Sequence, residues 1–260
     1  MPSAKSTDAP SAEFPAPTQN RGCDIIGFVT IGQAPRTDVT ADLAPLLGSD
    51  VAIVEAGALD KLDDVSLVAP RDGEAVLASR MRDESGVVVS QAKVMPLVQQ
   101  AIDRVVSRGA RAVVLLCTAN LSYPFACDVP LIHPNDVLAD AVKRAVGEEG
   151  GAGAKKAAKA GTGTMQTIAV VVPDEAQIPE IGNHWERLLG RKPDLYAASP
   201  YGPSKPRIDA ARAIGQTDAA MIVLDCIGYS MDMAHEIERA SGKSVVLPRA
   251  VLANAAKELL

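Results

Sequence analysis

Two stretches of the chain end an apolar run on a cysteine. AVVLLCTAN (112–120) reaches Cys117, and MIVLDCIGY (221–229) reaches Cys226. Each run suits a parallel strand buried on both faces. A small or polar turn follows at once: Thr118, Ala119 and Asn120 in the first, Ile227, Gly228 and Tyr229 in the second. Open α/β sheets bind ligands outside the carboxyl ends of their strands. Two thiols there, facing one another across a small molecule, could carry out a two-base proton transfer. One thiolate removes a proton from carbon, and the opposite thiol returns one on the other face.

That chemistry is demanding, because the α-proton of a carboxylate is far less acidic than a thiol of pKa ~8.5. Backbone N–H groups at the turns and at the helix N-termini beyond them could stabilise the developing enediolate. They would also lower the cysteine pKa. Thr118 and Asn120 supply side-chain donors, and Gly228 lets backbone approach a ligand closely. The competing reading is packing, since free cysteine often fills space in a core. Two cysteines in matching contexts favour chemistry; Cys23 and Cys127 lack that context.

The elements that must position these residues alternate along the chain. Strands are expected at 25–32, 51–57, 86–90 (in a hairpin with part of 77–83) and 112–117, with helices at 40–48, 93–109 and 132–146. A second series runs through strands at 167–173, 194–199, 219–226 and 244–248, and helices at 176–190, 205–215, 231–242 and 250–260. Alternation of this kind implies parallel sheets covered by helices. The expected fold class is α/β in two lobes, 23–148 and 167–260, with part of 245–260 packing back on the first. A disordered tail is expected at 1–22, where Pro, Ser and Ala dominate, and a low-complexity Gly/Ala/Lys linker at 149–166.

Composition narrows the partners. A net charge of −6 and only 3% aromatic residues argue against nucleic acid, which rewards clustered cations and stacking platforms. No apolar run is long enough to span a membrane. The segment 1–22 lacks the apolar region of a signal peptide. Four cysteines without C-x-x-C spacing suit reduced thiols and a cytoplasmic location. No glycine-rich phosphate loop follows the first strand and no histidine pair has metal-ligand spacing, so no cofactor or metal is expected. A homo-oligomer is compatible with the composition, and nothing in the sequence requires one.

TIGQAPRTDV (30–39), VVLLCTAN (113–120) and VLDCIGY (223–229) together resemble the AroM family, itself similar to the aspartate/glutamate racemase superfamily. The resemblance covers most of 24–260. It implies two pseudo-symmetric α/β lobes, each a mostly parallel sheet flanked by helices, with one cysteine from each lobe at a cleft between them. It also implies cofactor-independent racemisation or isomerisation of small carboxylates. Two departures matter. Racemases of this type usually carry an Asp-Ser pair after the first strand, where this chain has Gln33 and Arg36. Their asparagine usually follows the first cysteine directly, where here Thr118 intervenes. A non-amino carboxylate is therefore at least as good a substrate as an amino acid. Arg36 suits a bidentate grip on a carboxylate, with a surface or interlobe salt bridge as the alternative. Thr30, Gly32, Pro173 and Ser199 sit at strand exits facing the cleft. Tyr201 could reach a ligand. Tyr229 could donate to one or simply pack, and Asp225 could orient a thiol or point into a salt bridge. Arg80 and Arg82 read as surface charges on a hairpin.

Cys117 and Cys226 are thus the candidate catalytic pair of an enzyme acting on a small carboxylate. A single-cysteine cis–trans isomerase or a decarboxylase is a variant of the same reading. A non-catalytic sensor or carrier of a small acidic metabolite is the alternative outside enzymology.

Overall fold

The computed structural model describes residues 23–149 and 167–260. The expected tail and all but the first residue of the expected linker lie outside them. Two four-stranded parallel sheets form the frame. The first has the order β2-β1-β5-β6, from β1 (Asp24–Thr30), β2 (Val51–Gly57), β5 (Ala112–Leu115) and β6 (Leu131–Ile132). The second has the order β10-β9-β7-β8, from β7 (Thr167–Val172), β8 (Asp194–Ala197), β9 (Ala219–Leu224) and β10 (Ser244–Val246). Counted within each half and in one direction, both orders are 2-1-3-4. The two lobes are one topology used twice. A separate antiparallel hairpin joins β3 (Val76–Arg80) to β4 (Gly86–Ser90).

The central strands β1, β5, β7 and β9 read as unbroken apolar runs because both their faces are covered. On one face of the first sheet lies α2 (Gln91–Ser107), with Val94, Val98, Ala101, Ile102 and Val105 buried at helical spacing. The second sheet has α5 (Ser204–Gly215) and α6 (Met231–Ser241) on one face and α4 (Ile178–Leu189) on the other. Two of the remaining helices cross over. From α3 (Pro134–Glu149), Leu138 and Val142 pack with Ile168, Val170 and Trp185 of the second half. From α7 (Pro248–Lys257), Leu252, Ala253 and Ala256 pack with Ile26, Phe28 and Val114 of the first, beside α1 (Thr37–Leu47). Each sheet therefore completes its core with a helix from the other half, which ties the two strand-exit edges together.

The expected elements occur where the periodicity places them, with two informative shifts. The strand expected at 112–117 ends at Leu115, and that expected at 219–226 ends at Leu224. Neither cysteine is on a strand. Both lie two residues beyond one. At the start of the stretch expected to be helical from residue 132, a short strand, β6, pairs with β5 before α3 begins at Pro134. Among the described residues, no helix is long and apolar enough to cross a membrane.

Candidate active site

The last ladder bond of each lobe sets its cysteine. The Leu116 amide donates to Val29 of β1 (2.7 Å), and the Asp225 amide donates to Val171 of β7 (2.9 Å). The next residue is the cysteine in both cases. The Cys226 sulfur accepts the Gly228 amide, two residues on, at 3.4 Å. The equivalent Ala119 amide favours the Cys117 thiolate.

The two thiols are close enough that the charge of Cys117 raises Cys226. Burial, reinforced by Asp225, pushes Cys117 up to about 11. Burial, then the facing Cys117 and Asp225, push Cys226 up to about 12. The turns therefore do not lower the thiol pKa as the sequence suggested. One amide apiece and the charge of Arg36 work in that direction, and desolvation outweighs them. Both cysteines are free.

Arg36 is only 3% exposed. Its Nε and Nη2 both reach Asp38 at 2.8 Å, its Nη1 donates to the Thr30 hydroxyl at 3.3 Å, and Nη2 also reaches the Tyr201 hydroxyl at 3.4 Å. The bidentate face expected to grip a substrate is thus occupied by Asp38. Burial would raise Asp38, but Arg36, with Arg249 and Arg80 beyond, holds its carboxyl below the usual range. Arg36 is a buried positive charge near both sulfurs, held in a pair within its own lobe.

The other expected residues separate into groups. Thr118, between Cys117 and Ala119, lies near the Asp225 carboxylate, where its hydroxyl favours the ionised form. Asn120 is exposed, and its carbonyl accepts Gln91. With Cys117, Ala119, His133, Asn135 and Asp136, Asn120 lines a cavity of about 180 Å³ at the N-terminus of α3. Gly32 and Gln33 serve the hairpin. A Cβ on Gly32 would collide with the Arg80 carbonyl, and Gln33 accepts the Arg82 amide at 3.2 Å. Pro173 and Ser199 line a different cavity, of about 340 Å³, at the exits of β7 and β8. Its neighbours Asp174 and Glu175 suit a carboxylate ligand poorly.

Tyr229 is fully buried and donates its hydroxyl to the Ala198 carbonyl at 2.6 Å, which leaves it nothing to offer a substrate. Gly228 does permit a close approach, but by Tyr201: a Cβ there would stand 2.6 Å from the Tyr201 hydroxyl and 2.9 Å from Pro200.

Several further residues complete the site; Asp225 and Arg80 were weighed from the sequence, whereas Trp185, Arg207 and Arg249 were not. Asp225, buried at 5% exposure, accepts the Trp185 indole N–H at 2.8 Å. Arg249 of α7 donates to the carbonyls of Ile227 (2.8 Å) and Gly228 (3.0 Å) and to Asp42 of α1 (2.7 Å), pinning the Cys226 loop to the first lobe. Arg207 gathers the carbonyls of Ser199 and Gly202 and so shapes the loop that presents Tyr201. Arg80, expected to be a surface charge, stacks over the Tyr201 ring at 4.4 Å. An acid at the end of an apolar run, MIVLD, was the one visible signal among these. The arginines carry none, since helix and loop arginines are ordinarily solvated.

The AroM protein family matches residues 26–260. The chain belongs to the AroM family. No curated protein matches this AroM chain by sequence. Among solved structures it is similar to a Nocardia farcinica maleate cis-trans isomerase with a covalently bound succinylcysteine intermediate, at 12% identity over 92% of this chain and 93% of that one, TM-score 0.58. It is similar also to an arylmalonate decarboxylase, at 18% identity over 90% and 91%, TM-score 0.57. An allantoin racemase from Pseudomonas fluorescens matches at 15% identity over 90% of each chain, TM-score 0.54. At these identities the likeness shows the two-lobed α/β fold that racemases, isomerases and a decarboxylase share with this AroM protein. Among its described residues no cluster of three or more His, Cys, Asp or Glu is arranged to hold a metal ion.

Proposed function

We propose that this AroM protein racemises or isomerises a small carboxylate without a cofactor, moving a proton between carbon and the Cys117 and Cys226 sulfurs. One observation carries the reading. The two thiols occupy equivalent positions two residues beyond equivalent strands, and the charge of Cys117 bears on the ionisation of Cys226.

The thiolate of one cysteine takes the α-proton, and the electron pair moves onto the carboxylate as an enediolate. The thiol of the other delivers its own proton to the opposite face, so thiol and thiolate exchange places over one turnover. Burial makes either thiolate rare in the free protein, but a desolvated thiolate is also the stronger base towards a weakly acidic carbon. The buried Arg36 guanidinium is placed to offset the negative charge that develops between the sulfurs.

A second reading has its own support: the 180 Å³ cavity is walled by Cys117 alone of the pair. Cys117 would then act singly, as a nucleophile in cis–trans isomerisation or as the proton donor in a decarboxylation. A panel of small chiral and unsaturated carboxylates separates the two readings. The proposal expects Cys117→Ala and Cys226→Ala each to abolish interconversion while the fold is retained. Full turnover in either variant contradicts it, and a covalent adduct confined to Cys117 in mass spectra moves the assignment to the single-cysteine reaction.

A further inference from the structure

We propose that Arg249 of α7, held by Asp42 of α1, is a positioning residue for Cys226: by gripping the Ile227 and Gly228 carbonyls it aims the Gly228 amide at the Cys226 sulfur. What this aim does for turnover rests on the two-cysteine reading above; the aim itself does not.

The geometry of two successive peptide units makes the case. In a trans peptide the carbonyl and the N–H point in opposite directions, so fixing one fixes the other. The Ile227 carbonyl accepts Arg249 Nε at 2.8 Å, and the Gly228 N–H of the same unit donates to the Cys226 sulfur at 3.4 Å. The next unit is held likewise. Its Gly228 carbonyl accepts Arg249 Nη2 at 3.0 Å, while its Tyr229 N–H donates to the Cys226 carbonyl at 3.3 Å. One edge of one guanidinium therefore fixes both planes that follow the thiol. A donor on the carbonyl also polarises the peptide, which strengthens its N–H as a donor.

The hold on Arg249 comes from the first lobe. Arg249 is 1% exposed, and its Nη1 donates to the Asp42 carboxylate at 2.7 Å and to the Asp38 carbonyl at 2.8 Å. The Asp42 carboxylate also accepts the Met231 amide, at the start of α6, at 2.9 Å. One carboxylate of α1 thus secures both ends of the segment from Ile227 to Met231. The Cys117 loop supplies the contrast. Ala119, the counterpart of Gly228, is exposed, and Gln91 reaches that loop one residue further on, at the Asn120 carbonyl. Burying an arginine is costly unless its charge and donors are met. Its grip on the peptide that faces the sulfur accounts for that cost.

Burial pushes Cys226 up, and among the groups that pull the other way the Gly228 amide is stronger than Arg36. The titratable and charged groups that face Cys226 are Cys117, Asp225 and Arg36, with Tyr201 and Tyr229. A substitution at Arg249 alters none of these.

Iodoacetamide labelling of the full-length protein without substrate, at pH 9, is read at each cysteine by peptide mass spectrometry, with Cys117 as the reference within the same chain. A hydrogen bond to a charged group is worth about one pKa unit, or about tenfold in thiolate. Cys226 is therefore expected to label about tenfold more slowly in Arg249→Lys and in Arg249→Met, while Cys117 keeps the parent's rate. Lysine retains the charge and lacks the two-donor edge, so an Arg249→Lys protein that labels like the parent overturns the proposal. Faster labelling at Cys226 also overturns it, because that is the mark of a loop merely loosened into water. Asp42→Asn, which keeps the side chain's shape, is expected to slow Cys226 several-fold, and an unchanged rate contradicts the first lobe's part in the hold. If neither Arg249 variant folds, Asp42→Asn decides alone. The readout needs no turnover, so failure here is distinguishable from failure of the two-cysteine reaction.

Discussion

Before the cysteine of the first lobe stands Leu116; before that of the second stands Asp225. Almost everything else about the two loops is shared. Both residues close the ladder onto the central strand, and both precede a cysteine whose ionisation the amide two residues on favours. The surroundings differ accordingly: Leu116 shares an apolar cluster with Ile227, whereas Asp225 accepts the Trp185 indole N–H and lies near Thr118. A repeated topology fixes where the two sulfurs stand, and the single departure decides the charge they experience. One junction is apolar and inert to pH; the other titrates.

The largest effect expected from this arrangement is on rate. With both thiols raised to about 11 and 12, the reactive thiolate is scarce at neutral pH. Turnover per enzyme at low substrate should rise close to tenfold per pH unit from about pH 7 to pH 9, roughly a hundredfold in all. A plateau below pH 8 would show that the thiols ionise more readily than their burial implies.

Making the apolar junction resemble the polar one comes next. Leu116→Asp places a carboxylate among Phe28, Ile227 and Leu252 with no donor equivalent to Trp185. A loss of about 3 kcal/mol or more is expected in denaturant unfolding. A loss below about 1 kcal/mol would mean that this junction is already hydrated.

Asp225 itself links stability to pH. Its folded pKa is raised from the model-compound value of 3.8 to about 6, so the native protein holds this proton more tightly than the unfolded chain. The resulting stabilisation is complete below about pH 4 and is lost as pH rises through about 6. It amounts to on the order of 3 kcal/mol. Unfolding curves of Asp225→Asn between pH 4 and 8 should lack that share of the slope. A slope matching the parent's would assign it to other groups.

The smallest expected effect is at Gly228. A methyl there meets the Tyr201 ring and Pro200, costing about 1–2 kcal/mol. It should also unseat Tyr201 from Arg36 and Arg80. The equivalent residue after Cys117 is already an alanine, and Ala119→Gly should leave stability within about 1 kcal/mol.

The apolar runs and helical spacings made the two lobes legible in the sequence, because strands covered on both faces and helices covered on one face leave different periods. The cysteine pair was legible for the same reason, as the same run ending in the same residue. Strand ends were less so. Nothing in AVVLLC shows that pairing stops at Leu115, since that depends on which partner strand is still present two residues later. The polar contacts were least visible. Arg36 suited a carboxylate, but that its carboxylate is Asp38, two residues away, follows from the turn geometry after β1. Tyr229 is a good donor by type, and only the fold shows that its hydroxyl is spent on Ala198.

The most direct test of the paired-thiol reaction resolves α-deuterium exchange by substrate configuration, in D₂O, for the first carboxylate found to turn over. In the parent protein both configurations should exchange. Cys117→Ser should lose exchange from one configuration and keep it for the other, and Cys226→Ser should show the reverse. Loss of both configurations in one variant alone, or of neither in both, would contradict a proton transfer shared between the two cysteines.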